Sequence, residues 1–160
     1  MDWTVFIVFF GACCTAAATG SMFPPGAWYK SLRKPPWNPP NWLFPVAWTI
    51  LYIIIAVAAA RIAVLSDNAM AIGFWTLQIT LNTLWTPVFF GLRRIKAGMV
   101  IIAMLWLSVF AAIFYAFQLD ALAGWLLIPY LLWVTVAASL NGAVWYLNPE
   151  QANAPKPLGS

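Results

Sequence analysis

The chain has 160 residues, 64% of them hydrophobic and 8% charged, with a mean hydropathy of +0.84. A soluble domain of that size could not cover itself with so few polar side chains, so the composition specifies an integral membrane protein. With no histidine and no acidic cluster, the sequence lacks an obvious ligand set for a metal or a His-ligated haem, and no nucleic-acid partner is expected.

Each spanning helix needs about 20 apolar residues. Five such runs, separated by short polar breaks, predict an all-α bundle of five transmembrane helices in one domain, residues 1–148. A short, proline-rich and disordered tail is expected over 149–160.

The first run, 3–23, follows Asp2 rather than a basic stretch and exceeds a signal-peptide core, so it is expected to be a retained helix. Its Ala12, Ala16 and Gly20 recur every four residues, a spacing that suits close packing within the bundle or a dimer face. Cys13 and Cys14 are adjacent in this helix and read as small apolar fillers. The second run, 42–65, ends at Ser66, Asp67 and Asn68, good turn and N-cap residues. The third, 69–90, contains Pro87, which predicts a kink. The fourth and fifth cover 97–117 and 121–147.

Lys30, Arg33 and Lys34 lie in the first connection and Arg93, Arg94 and Lys96 in the third, whereas the opposite connections carry Asp67 and Asp120. The positive-inside rule then puts connections 1 and 3 and the C-terminus in the cytoplasm. Arg61, near the far end of the second run, is expected to snorkel.

The first connection, 24–41, is several times longer than the others. Long loops in compact proteins are functional or disordered, and here proline pairs at 24/25, 35/36 and 39/40 favour order. Trp28, Tyr29, Trp37 and Trp42 admit two readings, an interfacial aromatic belt or a folded lid over the cytoplasmic mouth; the lid is preferred.

Phe44, Trp48 and Tyr52 fall on one stripe of the second helix. Gln78 and Asn82, with Trp85 a turn on, share a face of the third that cannot meet lipid; they serve as interhelical glue or line a site. In the fifth helix Trp133, Ala137, Leu140 and Asn141 share a side, with Tyr130 a turn earlier. A pocket built from Trp48, Tyr52, Asn82, Trp85 and Trp133 would be apolar with a few donors and acceptors, as suits a large planar hydrophobic ligand.

These residues carry a family resemblance. The segments KPPWNPPNWLFPVAWTILY (34–52), QITLNTLWTPVFFG (78–91) and PYLLWVTVAASLN (129–141) together resemble the tryptophan-rich sensory protein (TspO) and translocator family, also known as the peripheral-type benzodiazepine receptor family, over nearly the whole chain. The resemblance implies a five-helix membrane bundle in the bacterial envelope, often dimeric, that binds porphyrins such as protoporphyrin IX and synthetic benzodiazepine or isoquinoline ligands. By position it places Trp48, Tyr52, Asn82, Trp133, Ala137 and Leu140 around the ligand, with Trp28 and Tyr29 contributing from the lid and Phe44, Trp37 and Trp85 beside them. Animal members bind cholesterol, but Tyr146 is followed by LNPEQ and lacks the basic partner of the sterol motif, itself a weak pattern.

Three functions remain in view. A porphyrin sensor that regulates tetrapyrrole or stress responses leads, with porphyrin as ligand and no required cofactor. Transport of tetrapyrroles or lipids, sterol included, is second, because the sequence has no internal repeat. The third is light-dependent porphyrin breakdown, with Trp48 and Trp133 as electron donors; no general acid, base or nucleophile lies in the pocket.

Overall fold

The computed structural model describes residues 2–153, and these are helical almost throughout. Helix α1 is Trp3–Met22, α2 is the short Ala27–Ser31, α3 is Leu43–Ala63 and α4 is Ala69–Thr86, which continues as a π-helical segment, Pro87–Gly91. Then come α5 (Ile95–Leu119), α6 (Ala121–Leu147) and the short α7 (Pro149–Asn153). Of the expected disordered tail, 149–153 is therefore helical, and the remainder lies outside the described residues.

Four of these helices, α1, α3, α5 and α6, are long and apolar enough to cross a membrane. Helix α4 falls short because it carries Gln78, Asn82 and threonines 76, 80, 83 and 86 among its apolar residues.

The long helices close into a ring. Helix α1 packs on α3 and α4, α3 on α6, α6 on α5, and α5 on α4. The core runs through the ring from Cys13 and Ala16 through Ile55, Ala56, Ala59 and Trp75 to Val109, Ala112, Leu127 and Val134. Small residues at these crossings let backbones approach where lipid supplies no hydrophobic drive for association. Ala16 is buried and Ala12 partly so, so the spacing in α1 serves packing inside the bundle over its first two positions, whereas a Cβ at Gly20 would meet open space. Cys13 is a core filler, and Cys14 faces outward.

Local chemistry sets the helix ends. Asp2 accepts from the backbone N–H groups of Thr4 and Val5 and caps α1. Pro87 cannot donate to the helical ladder. The chain after it widens into a π-turn, in which Leu92 N–H reaches the Pro87 carbonyl at 2.8 Å, instead of simply kinking.

Asn68 does not cap the helix that follows it. Its side-chain amide turns back to the carbonyls of Ile62, Ala63 and Leu65 and closes the end of α3. Arg61 does not simply snorkel either: its Nε and Nη2 reach Asp120 Oδ2 at 2.7 and 2.6 Å. The other carboxylate oxygen, Oδ1, accepts from Leu122 and Ala123 N–H and caps α6. One carboxylate thus ends α6 and ties it to α3.

Asp120→Ala removes both functions and is expected to lower stability by about 1–2 kcal/mol, most of it from the lost cap. Asp120→Asn keeps a capping oxygen and loses only a partly solvated ion pair, so it should cost under about 1 kcal/mol. Unfolding of the two variants in the same detergent checks the order.

Candidate functional site

The polar residues of α4 face inward as their spacing requires, Gln78 at 1% and Asn82 at 5% exposure. They join a directed chain. Tyr52 hydroxyl donates to Asn82 Oδ1 (3.0 Å), Asn82 Nδ2 donates to Tyr130 hydroxyl (2.8 Å), and Tyr130 donates to Gln78 Oε1 (2.7 Å). Tyr130 has a single proton to give; having accepted from Asn82, it spends that proton on Gln78, and this sets both amide orientations. The chain bonds α4 to α3 and α6 and ends in a buried donor without an acceptor, Gln78 Nε2.

Aromatic rings surround it. Trp48 lies 5.3 Å from Tyr52, 6.2 Å from Tyr130 and 6.4 Å from Trp133, and Phe44 lies 5.7 Å from Trp133. The buried indole Nε1 of Trp133 also has no acceptor. Phe44, Trp48, Tyr52, Asn82 and Trp133 therefore come together as their periodicity suggests. Ala137 is partly buried on the same helix and Leu140 is buried. An apolar groove of about 330 Å³ opens on the outer side of this group, between α3 and α6, lined by Ala47, Ile50, Leu51, Pro129, Leu132, Trp133 and Val136.

Trp85 belongs to a second aromatic group at the basic end of the bundle. Its ring stacks on Phe89 at 4.8 Å and its Nε1 donates to Asn141 Oδ1 at 3.2 Å, while Asn141 Nδ2 donates to the Ile95 carbonyl. Gly98 makes this possible, since a Cβ there would stand 3.0 Å from Phe89 and 3.1 Å from Asn141 Oδ1.

The first connection, 24–41, here called loop 1, docks on this group. Trp28 meets Phe89 edge-on at 5.8 Å, Tyr29 meets Phe90 at 5.2 Å, and Leu32 is buried with Phe89, Ile95 and Val144. Burial raises the Tyr29 pKa above its usual 10.0, and Lys34 Nζ sits 4.5 Å over its ring. Trp37 and Trp42, by contrast, are 52% and 66% exposed. The upstream half of the loop, including Trp28 and Tyr29, is thus folded onto the bundle, and Trp37 and Trp42 stand outside it.

Sequence reasoning missed the central part played by Tyr130. The signal was present, since Tyr130 lies one turn before Trp133 and Gln78 one turn before Asn82, but only the folded pairing shows the two meeting. Tyr130→Phe should leave Asn82 and Gln78 each short of a partner and cost about 1–2 kcal/mol, against about 0.6 kcal/mol for Tyr52→Phe, which strips one bond from the end of the chain. Denaturant unfolding of the two variants in one detergent distinguishes them.

The TspO/MBR family model matches residues 4–147. Protein CrtK of Rhodobacter capsulatus is 54% identical over 155 residues, covering 94% of this chain and 97% of the relative. The tryptophan-rich sensory protein of Cereibacter sphaeroides is 46% identical, covering 96% and 98%. The human translocator protein is 32% identical, covering 79% of each chain. On the family match and these relatives together, the chain belongs to the TspO/MBR family of multi-pass membrane proteins.

Proposed function

We propose that the chain is a membrane sensor for porphyrins, protoporphyrin IX or another haem precursor, and that it regulates tetrapyrrole or stress responses. Flat synthetic ligands of the benzodiazepine and isoquinoline type would use the same site, between α3, α4 and α6. The observation that carries this reading is the pair of buried donors without acceptors, Trp133 Nε1 and Gln78 Nε2, set among the rings of Trp48, Tyr52, Tyr130 and Phe44. Leaving such a donor unpaired costs about 1–3 kcal/mol. A planar ligand with acceptor groups recovers that energy while its faces meet aromatic carbon. The basic residues of loop 1 suit the carboxylates such a ligand carries.

In this reading α4 and the π-helical segment, residues 69–91, form a fifth span of roughly 30 Å. Of the polar side chains that lower its hydropathy, Gln78 and Asn82 bond inside the ring, and Thr80 and Thr83 return their hydroxyls to carbonyls of α4 itself. If the bundle is in the inner rather than the outer membrane of the bacterial envelope, loop 1, the third connection and the C-terminal end face the cytoplasm. A homodimer and bound membrane lipid, sterol among them, complete the picture, with no cofactor beyond the porphyrin itself and no nucleic acid. The name of the Cereibacter relative, tryptophan-rich sensory protein, accords with sensing. That of the human relative makes transport of tetrapyrroles or lipids the second reading.

Titration of the purified protein with protoporphyrin IX in the dark, followed by tryptophan fluorescence, tests the proposal beside Asn82→Ala and Ala137→Thr. Saturable quenching is expected, with affinity about tenfold weaker in each variant, equivalent to about 1.4 kcal/mol. Quenching that never saturates, or is identical in all three proteins, would mean partitioning into the detergent micelle and would end the pocket assignment.

A further inference from the structure

Helices α1 and α3 are neighbours in the ring, yet the chain between them, residues 23–42, does not take the short way. It crosses to the opposite side of the basic end and seats Leu32 between Phe89 of the π-helical segment, Ile95 at the start of α5 and Val144 near the end of α6. There the backbone is gripped. Arg33 N–H donates to Asn148 Oδ1 at 2.9 Å, and Asn148 Nδ2 donates back to the Arg33 carbonyl at 2.9 Å. The same Nδ2 donates to the Val144 carbonyl at 2.8 Å, which holds the amide in place on α6.

Asn148 is 7% exposed although it is polar and lies at a helix end. Its amide presents one donor and one acceptor to one residue of loop 1, as a paired β-strand would. The contact depends on backbone geometry alone, so it reads the position of the loop and not its side chains.

We propose that Asn148 is the latch that holds loop 1 shut over the basic end of the bundle and thereby sets the rate at which ligand exchanges with the site among Trp48, Tyr130 and Trp133. The exchange part rests on the binding function proposed above; the latch itself does not. Asn148 touches no part of that aromatic group in its bonding, so it acts as a positioning residue through the loop. A lid of this kind lowers entry and exit together, because the closed state is shared by the free and the occupied protein.

Limited proteolysis with trypsin reads the latch directly. Lys30 and Arg33 are cleavable positions in loop 1, and Lys34 is protected by Pro35. Arg93 and Arg94, exposed in the other basic loop, serve as the internal reference. Asn148→Ala should raise cleavage after Lys30 and Arg33 at least tenfold relative to cleavage after Arg93 and Arg94. Asn148→Asp keeps the acceptor for Arg33 N–H but loses both donated bonds and should fall between. Leu32→Ala empties the socket from the loop side and should raise cleavage in the same way. An unchanged cleavage ratio in Asn148→Ala and Leu32→Ala would overturn the latch.

Stopped-flow quenching by protoporphyrin IX reads the gate. Association and dissociation should both accelerate about fivefold or more in Asn148→Ala with Kd changed less than twofold. A weaker Kd from faster dissociation alone would assign Asn148 a binding or structural role and overturn the gate. Failure of the native protein to bind porphyrin saturably would instead strike at the sensor reading, with the proteolysis ratio still deciding the latch.

Discussion

The bundle depends on the fact that a bilayer interior offers no water to a stray amide or hydroxyl. Helix α4 brings two such amides, Gln78 and Asn82, into the ring, and α3 and α6 each bring a tyrosine to meet them. Because Tyr130 both accepts and donates, the chain has one direction, and a slip of α6 by a turn would break two of its bonds and a slip of α3 one. Lipid cannot tell one apolar helix face from another. The register of α3, α4 and α6 is therefore set by polar groups that make up a small share of the buried residues.

The two ends of the bundle solve the problem of chain ends differently. At one end the connections are short and the helix caps are local, Asn68 closing α3 and Asp120 capping α6, while the Arg61–Asp120 pair links those two helices. At the other end the helix termini are joined by long-range bonds, Asn148 to the backbone of Arg33 and Asn141 to Trp85 and Ile95. Bonds of the first kind break only when a helix frays. Those of the second kind can open while every helix stays intact, which makes the basic end the place where access can be controlled.

Much of this was legible in the sequence where one helix or one residue type suffices to show it. The inward face of Gln78 and Asn82, the stripe of Phe44, Trp48 and Tyr52, and the disturbance at Pro87 follow from periodicity and from the missing proline N–H. What was not legible involves partners far apart in the chain. Nothing local distinguishes Tyr130 from other aromatics in α6, or Asn148 from an ordinary residue after a helix. Arg61 seemed bound for the interface because its partner lies fifty-nine residues on, and Asn68 was assigned forward to α4 because an N-cap is the commoner use of that residue.

The division of loop 1 follows from where its backbone can donate. Pro35, Pro36, Pro39 and Pro40 have no N–H, and the two-way bond to Asn148 falls upstream of them, at Arg33, two residues before the first. Downstream, the prolines hold the chain in short turns, Asn38 N–H to the Pro35 carbonyl and Leu43 N–H to the Pro40 carbonyl, that need nothing from the bundle. The stiff half can therefore leave Trp37 and Trp42 outward, where indole rings are at home beside lipid headgroups. The loop is thus one arrangement, an outward, proline-stiffened half joined to a half docked on the bundle through Leu32 and Arg33.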